Sequence, residues 1–150
     1  MTSDTILDTQ QQIVSDFELL GDWQQRYAYV IDLGKNLIGQ SDSELQTEEN
    51  RLYGCQSNVW LSFEYKDQKL FFTGTSDSVI VAGLMALLFK VYSGQTPKAI
   101  LSHSLTFLND TGLVNNLTSQ RSTGLAYMVE RIYETAQSQQ GKSTFHHEKV

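Results

Sequence analysis

Apolar and polar positions follow two different periods along the chain, and they predict helices, then a hairpin, then helices again. Apolar and polar residues alternate over Val59–Lys66, which is typical of a half-buried strand. A polar break at Asp67–Gln68 precedes a second apolar run, Leu70–Gly74. Two such runs joined by so short a break predict an antiparallel hairpin. On both sides of the hairpin, apolar residues recur at helical spacing.

Two helices are predicted before the hairpin. The first contains Ile13, Phe17 and Leu20 at helical spacing, after a glutamine-rich lead-in. The second begins at Asp22, which has the form of an N-cap with Gln25 three residues further on. Its apolar stripe predicts core residues rather than a ring-stacking site. The polar, acidic segment 41–50 that follows is predicted to be a solvated loop, tethering the next segment flexibly at one end.

The longest apolar run predicts a central buried helix over Val79–Tyr92. Ser76, Asp77 or Ser78 is expected to cap it, because each offers a side-chain oxygen to the first free N–H groups. Gly83 lies in the middle of this helix, where glycine lowers helix stability by about 1 kcal/mol relative to alanine. A glycine at this position therefore implies a close packing contact.

Shorter helices are predicted after the central one. Thr96 and Pro97 form a helix start, and short helical turns are expected within 105–117. A final helix is predicted from about Ser119, with Leu125, Met128, Val129 and Ile132 on its buried face. Its apolar pattern stops near Gln137. Residues 1–137 are therefore predicted to be one domain and residues 138–150 a frayed C-terminal tail.

Composition excludes several classes of function. The chain has 150 residues, a net charge of −6 and one cysteine. An acidic chain is a poor partner for nucleic acid, and one cysteine forms no intramolecular disulfide. No segment resembles a signal peptide, and the run Val79–Phe89 is shorter than the roughly 20 residues that span a bilayer. A cytoplasmic protein that binds neither nucleic acid nor membrane is expected.

The only cysteine, Cys55, lies in a polar lead-in to the first strand. Gly54 precedes it, and Gln56, Ser57 and Asn58 follow, residues that favour irregular backbone. Buried cysteines normally have apolar neighbours. The residues alone leave two interpretations open, a surface thiol without a role and a reactive thiol.

Three segments resemble the SufE family, the partners of cysteine desulfurases in iron–sulfur cluster assembly. The segment Gly54–Leu61, G-C-Q-S-N-V-W-L, is preceded by Asn50-Arg51 and is similar to the sulfur-acceptor motif of that family. Gly74–Asp77, followed by the apolar segment Ile80–Leu84, resembles a second family block. Arg121–Leu125 resembles a third. Three blocks in the right order are a much more specific signal than any one of them.

The resemblance implies an α+β fold, a small antiparallel sheet of about three strands packed against several helices, similar to the SufE/NifU fold. The third strand is expected from the loop before Cys55. The resemblance also implies that Cys55 accepts a persulfide sulfur and that the protein activates a desulfurase. It is then a persulfide carrier with a nucleophilic cysteine and not a stand-alone enzyme.

Partners and cofactors follow from the same resemblance. The expected partners are a SufS-like or CsdA-like cysteine desulfurase and downstream iron–sulfur scaffold proteins. No cofactor is expected on this chain, and pyridoxal phosphate is expected on the desulfurase. No metal site is expected either, because a zinc or iron–sulfur site needs several thiolates.

Five residues besides Cys55 are predicted to contact the partner or support the loop. They are Gly54, Gln56, Ser57, Asp77 and Arg121. Asp77 is expected mainly to cap the central helix. A cation in the first turn of a helix is unfavourable for the dipole, so Arg121 lacks an obvious structural purpose. The resemblance places it near the acceptor loop or the partner surface.

Two other functions remain open. A cysteine-dependent hydrolase needs a histidine base beside Cys55, and the candidates are His103, His146 and His147. A non-catalytic adaptor would bind a partner and leave the cysteine incidental. Tyr53 and Trp60 are candidates for a lid or pocket over Cys55, and the alternative is that both pack in the core.

Overall fold

The computed structural model describes residues 5–140, which form helices around a two-stranded antiparallel sheet. The predicted α+β class is confirmed. The elements are α1 (Thr5–Leu20), α2 (Trp23–Gln40), β1 (Val59–Lys66), β2 (Lys69–Ser76), α3 (Val79–Tyr92), α4 (Pro97–Ser102), α5 (Phe107–Asp110) and α6 (Ser119–Gln139), with 3₁₀ turns at Ser43–Leu45 and Val114–Asn116.

The hairpin forms in the predicted place. Asp67 and Gln68 have φ angles of 54° and 67°, the positive values that a two-residue type I′ turn requires. The expected third strand is reduced to one bridge between Arg51 and Trp60. This bridge comes from the loop before Cys55, which is the segment expected to supply it.

Helix α3 is the buried centre of the fold. Nine of its fourteen residues are buried. It crosses α2 so closely that a Cβ on Gly83 would overlap the carbonyl oxygen of Val30. A Cβ on Gly34 would likewise overlap the carbonyl oxygen of Val79. The close contact expected from Gly83 is confirmed, and Gly34 of α2 provides the other half of it.

Helix α1 begins earlier than the apolar pattern indicated, because its buried stripe includes a glutamine. Ile6 and Gln10 continue the stripe toward the N-terminus. The Gln10 side chain is 2 % exposed. Its Nε2 donates to the Ser104 carbonyl at 3.0 Å, and its Oε1 accepts from the N–H groups of Thr106 and Phe107 at 2.7 and 3.0 Å. A buried polar group with all these partners is stabilising, and it ties α1 to the segment before α5.

Helix α6 extends to Gln139, two residues beyond the predicted domain limit. Thr135 and Ala136 are buried near its end, so packing holds this last part after the apolar periodicity has weakened. Residues 141–150, including His146 and His147, lie outside the described residues.

The glycine contact between α2 and α3 predicts a large effect of one methyl group. Gly83→Ala should lower the free energy of unfolding by about 1–3 kcal/mol, because overlap with backbone outweighs the gain in helix propensity. The measurement is urea unfolding followed by circular dichroism.

Gly39→Ala is the matched control, since Gly39 is also in a helix but has no atom within 4 Å of the position that a Cβ would occupy. It should leave stability unchanged or raise it by up to about 1 kcal/mol. Equal effects of the two substitutions would contradict the close crossing of α2 and α3.

Candidate sulfur-acceptor site

Cys55 lies at the tip of a loop that is closed at its base. The N–H of Leu52 donates to the carbonyl of Val59 at 2.9 Å, and the N–H of Leu61 donates to the carbonyl of Asn50 at 2.8 Å. These bonds join the chain before the loop to strand β1. The expectation of a flexible tether at one end is therefore wrong, because both ends of the loop belong to the same ladder.

Gly54 turns the backbone immediately before the cysteine. Its φ angle is +99°, in the region that favours glycine. A Cβ at this position would also lie 2.6 Å from the ring of Tyr127, which projects from α6. The positive φ favours glycine here, and a Cβ would also force the Tyr127 ring to move.

Asp77 holds the other side of the loop through Asn58. Its carboxylate accepts from the Asn58 backbone N–H at 3.1 Å and from Asn58 Nδ2 at 2.7 Å. The N–H of Asp77 donates back to the Asn58 carbonyl at 3.2 Å, and the Ser76 hydroxyl donates to the same carbonyl at 2.8 Å. Asn58 is thereby fixed to the junction of β2 and α3.

The predicted capping role of Asp77 is wrong. Ser78 is the N-cap of α3, and its Oγ accepts from the N–H of Val81 at 3.3 Å. Asp77 lies one residue before the cap, and its carboxylate is turned to Asn58. All three candidates have a suitable side chain, and the loop packed against this junction decides which one caps.

Arg51 stands beside the loop between two aromatic rings. Its Cζ lies 5.1 Å from the ring centroid of Tyr53 and 5.5 Å from that of Trp60. Its Nη2 donates to Oδ1 of Asn58. Tyr53 is 58 % exposed and Trp60 is half-buried, so neither is a core residue. Neither lines the cavity at Cys55, and the rings flank the guanidinium instead.

The sulfur of Cys55 faces a cavity of about 170 Å³ between the loop, α3 and α6. Gln56, Ser57 and Arg121, three of the residues predicted to contact a partner or support the loop, line it. The other lining residues are Val81, Thr118, Gln120 and Gly124. Arg121 is exposed at the N-terminus of α6, so the structure brings it to the acceptor loop.

Gly124 of α6 lies against the sulfur. The Cys55 thiol donates to its carbonyl oxygen over 3.8 Å, a weak sulfur hydrogen bond. A Cβ on Gly124 would lie 3.3 Å from Sγ, tighter than ordinary contact. The absence of a side chain here leaves room for the thiol.

Two opposing effects set the ionisation of Cys55. Burial raises the pKa of the thiol above its ordinary value, and the Arg51 guanidinium lowers the pKa by attracting the thiolate. Burial is the larger effect, so the free protein holds Cys55 mainly as the neutral thiol at neutral pH.

Within residues 5–140, no histidine lines the Cys55 cavity. His103 is at the end of α4, where its Nδ1 lies 2.8 Å from the Ala99 carbonyl. The described part of the chain therefore offers no histidine base at Cys55 for a cysteine-dependent hydrolase. It also contains no group of three metal-ligating side chains and no helix long and apolar enough to cross a membrane.

Sequence reasoning assigned no individual role to three residues near the site: Arg51, Asn58 and Tyr127. For Arg51, the available signal was its position in the sequence, two residues before Tyr53 and four residues before the only cysteine. The sequence marks Asn58 as a loop-forming residue but gives no sign of its link to Asp77. Tyr127 follows Gly124 by three residues on α6, a spacing that places both on one helix face.

A one-cysteine α+β domain with this loop is matched by known proteins. The family model SufE, described as an Fe-S metabolism associated domain, matches residues 11–136. An uncharacterized SufE-like protein of Rhizobium etli is 44 % identical over 130 residues, covering 83 % of this chain and 87 % of the relative. One of Rhizobium meliloti is 40 % identical over 131 residues, covering 84 % and 93 %. The chain belongs to the SufE family.

The fold is also found in a solved structure of much lower sequence similarity. The solution structure of a hypothetical protein from Thermus thermophilus superposes with a TM-score of 0.70 at 18 % identity, covering 87 % of this chain and 94 % of that chain. At this identity the likeness concerns the fold.

The two neighbouring roles of Asp77 and Ser78 are separable by hydrogen exchange. Asp77→Ala should speed exchange of the Asn58 amide at least about tenfold, because that amide loses a charged acceptor. Ser78→Ala is the matched control. It should lower global stability by about 1 kcal/mol through loss of the cap, with no selective change at Asn58. If neither substitution selectively speeds exchange of the Asn58 amide, this assignment of separate roles to Asp77 and Ser78 is contradicted.

Proposed function

We propose that this protein accepts sulfur from a cysteine desulfurase on Cys55, stimulates that enzyme, and passes the sulfur toward iron–sulfur cluster assembly. The observation that carries the proposal is the placement of the only cysteine, at the tip of a loop anchored on both sides, with its sulfur facing a small open cavity. Membership of a family associated with iron–sulfur metabolism supports the same role.

The transfer is a thiol–persulfide exchange. The Cys55 thiolate attacks the terminal sulfur of a persulfide on the desulfurase, and a new S–S bond forms as the old one breaks. The desulfurase cysteine leaves as a thiolate, and Cys55 carries the persulfide. One S–S bond replaces another, so no external oxidant or reductant is needed. A second exchange of the same kind delivers the sulfur to the next acceptor.

A single cysteine suits a carrier. A neighbouring thiol would attack the inner sulfur of the persulfide, form a disulfide and release hydrosulfide, so the cargo would be lost. This chain contains one cysteine. The cavity walls also limit access by stray thiols, because Cys55 is only partly exposed.

The proposed partner is a pyridoxal phosphate-dependent desulfurase of the cytoplasm, SufS-like or CsdA-like, and the sulfur then reaches iron–sulfur scaffold proteins. The cofactor would remain on the desulfurase. Arg121, exposed at the rim of the cavity, is in position to pair with a carboxylate of that partner. Gln56 and Ser57 offer hydrogen bonds at the same rim.

Substitution of the nucleophile distinguishes a carrier from an adaptor. Cys55→Ser should abolish sulfur acceptance and desulfurase stimulation while the protein still folds and binds its partner, since a hydroxyl replaces a half-buried thiol. Intact-protein mass spectrometry after incubation with desulfurase and free cysteine should show added sulfur on the parent only. Undiminished stimulation by Cys55→Ser would indicate an adaptor instead.

The rim arginine gives a second test. Arg121→Ala should reduce desulfurase stimulation several-fold with little change in melting temperature, because Arg121 is exposed. The reduction should shrink as salt rises, since an exposed charge pair is screened. Arg131→Ala, which removes a cation from the same helix outside the cavity lining, is the control. If Arg121→Ala stimulates the desulfurase as strongly as the parent at both low and high salt, Arg121 does not contact the partner.

A further inference from the structure

We propose that Tyr127 is a positioning residue for Cys55, because its ring packs on Gly54 and holds the tip of the loop, residues 53–57, against α6. The contact keeps the sulfur in its cavity. The proposal deepens the sulfur-acceptor function and rests on it for its biological purpose. It concerns a residue outside the set predicted from sequence, and its test needs no desulfurase.

Hydrogen bonds hold the base of the loop but hardly hold its tip. The ladder bonds to β1 close the base, and on the far side Asn58 is bound to the junction of β2 and α3. Among the residues that the structure describes, the tip makes one hydrogen bond, the weak bond from the Cys55 thiol to the Gly124 carbonyl. The position of the tip therefore depends on packing contacts.

Two glycines allow the tip to pack closely on α6. Cys55 lies on Gly124 of the helix, where a Cβ would lie 3.3 Å from Sγ. In the neighbouring contact the glycine belongs to the loop, and Tyr127 of the helix lies on it. A Cβ on Gly54 would lie 2.6, 2.9 and 2.9 Å from Cε2, Cδ2 and Cζ of the ring. The ring therefore occupies the space that a side chain of the loop would take.

The geometry of α6 brings the ring to the sulfur site. Tyr127 follows Gly124 by three residues, so the two lie on one face of the helix. Helical side chains point back toward the N-terminus of their helix, which directs the ring over the turn that contacts the sulfur. Tyr127 does not line the Cys55 cavity. It acts on the sulfur through Gly54, the residue before the cysteine.

The ring is packed on one side and open to solvent on the other. Tyr127 is 39 % exposed, so the domain core does not depend on it. Alanine is the best helix former, and its introduction at this position leaves α6 intact. Loss of the ring therefore weakens the docking of the tip without unfolding the domain, and local opening of the loop becomes more frequent.

The alternative is a surface tyrosine that has no effect on the sulfur. The two differ in the rate of Cys55 alkylation by iodoacetamide in the free protein. Tyr127→Ala should raise that rate by about three- to tenfold at pH 7, because the tip leaves α6 more often. The increase should persist at alkaline pH, where the thiol is ionised in both proteins, because the substitution changes access to the sulfur.

Three further variants complete the test. Tyr127→Phe keeps the three ring carbons that face Gly54 and should react at the parental rate. Tyr127→Leu keeps part of the apolar contact and should give an intermediate increase, even if Tyr127→Ala does not fold. Phe71→Ala is the matched control, because Phe71 is also 39 % exposed but lies on β2, outside the lining of the Cys55 cavity. It should leave the rate unchanged.

The proposal is overturned if Tyr127→Ala, or Tyr127→Leu where the former does not fold, reacts at the parental rate. It is equally overturned if Tyr127→Phe reacts as fast as Tyr127→Ala, if Phe71→Ala raises the rate as much, or if parent and Tyr127→Ala converge at alkaline pH. Sulfur acceptance is measured separately by mass. A failed sulfur transfer with the expected alkylation rates would reject the proposed function and leave the role of Tyr127 standing.

Discussion

The close crossing of α2 and α3 at Gly34 and Gly83 is the constraint on which the rest of the structure depends. Without side chains at these positions the two backbones approach closely, and α3 is buried along most of its length. That packing fixes the position of α3 against α2. Asp77 stands just before the first residue of α3 and holds Asn58, so the loop at Cys55 is anchored to a helix that the α2 contact positions.

The site is a compromise between shelter and reactivity. A carrier gains from a half-buried sulfur, because exposed persulfides react with stray thiols, yet burial disfavours the thiolate that must attack. The Arg51 guanidinium lowers the pKa of the Cys55 thiol and so acts against the larger effect of burial. Gly124, which has no side chain, leaves space beside the sulfur. Arg121 is exposed at the same cavity. The two arginines thus differ in place: Arg51 is half-buried beside the loop, and Arg121 is exposed at the cavity.

Much of the fold was predictable because it depends on local preferences. The bounds of α3 and the hairpin turn at Asp67–Gln68 follow from apolar periodicity and turn length, and both agree with the structure. The cap at Asp22 was also predictable, since its side chain accepts from the N–H of Gln25 as the spacing indicated. Helix α1 was placed too late because Gln10, a polar residue, occupies a buried position that only its partners in a distant segment make stable.

The sequence by itself determined the α+β class, the order of most elements and the candidate reactive residue, because periodicity, capping residues and a one-cysteine motif are local properties. Only the tertiary structure decided that Ser78 and not Asp77 caps α3, and that Arg51 lies between Tyr53 and Trp60. These assignments depend on which groups distant segments bring within hydrogen-bonding or charge range. A residue's type shows which partners it can accept, and the packing of the chain determines which of them it meets.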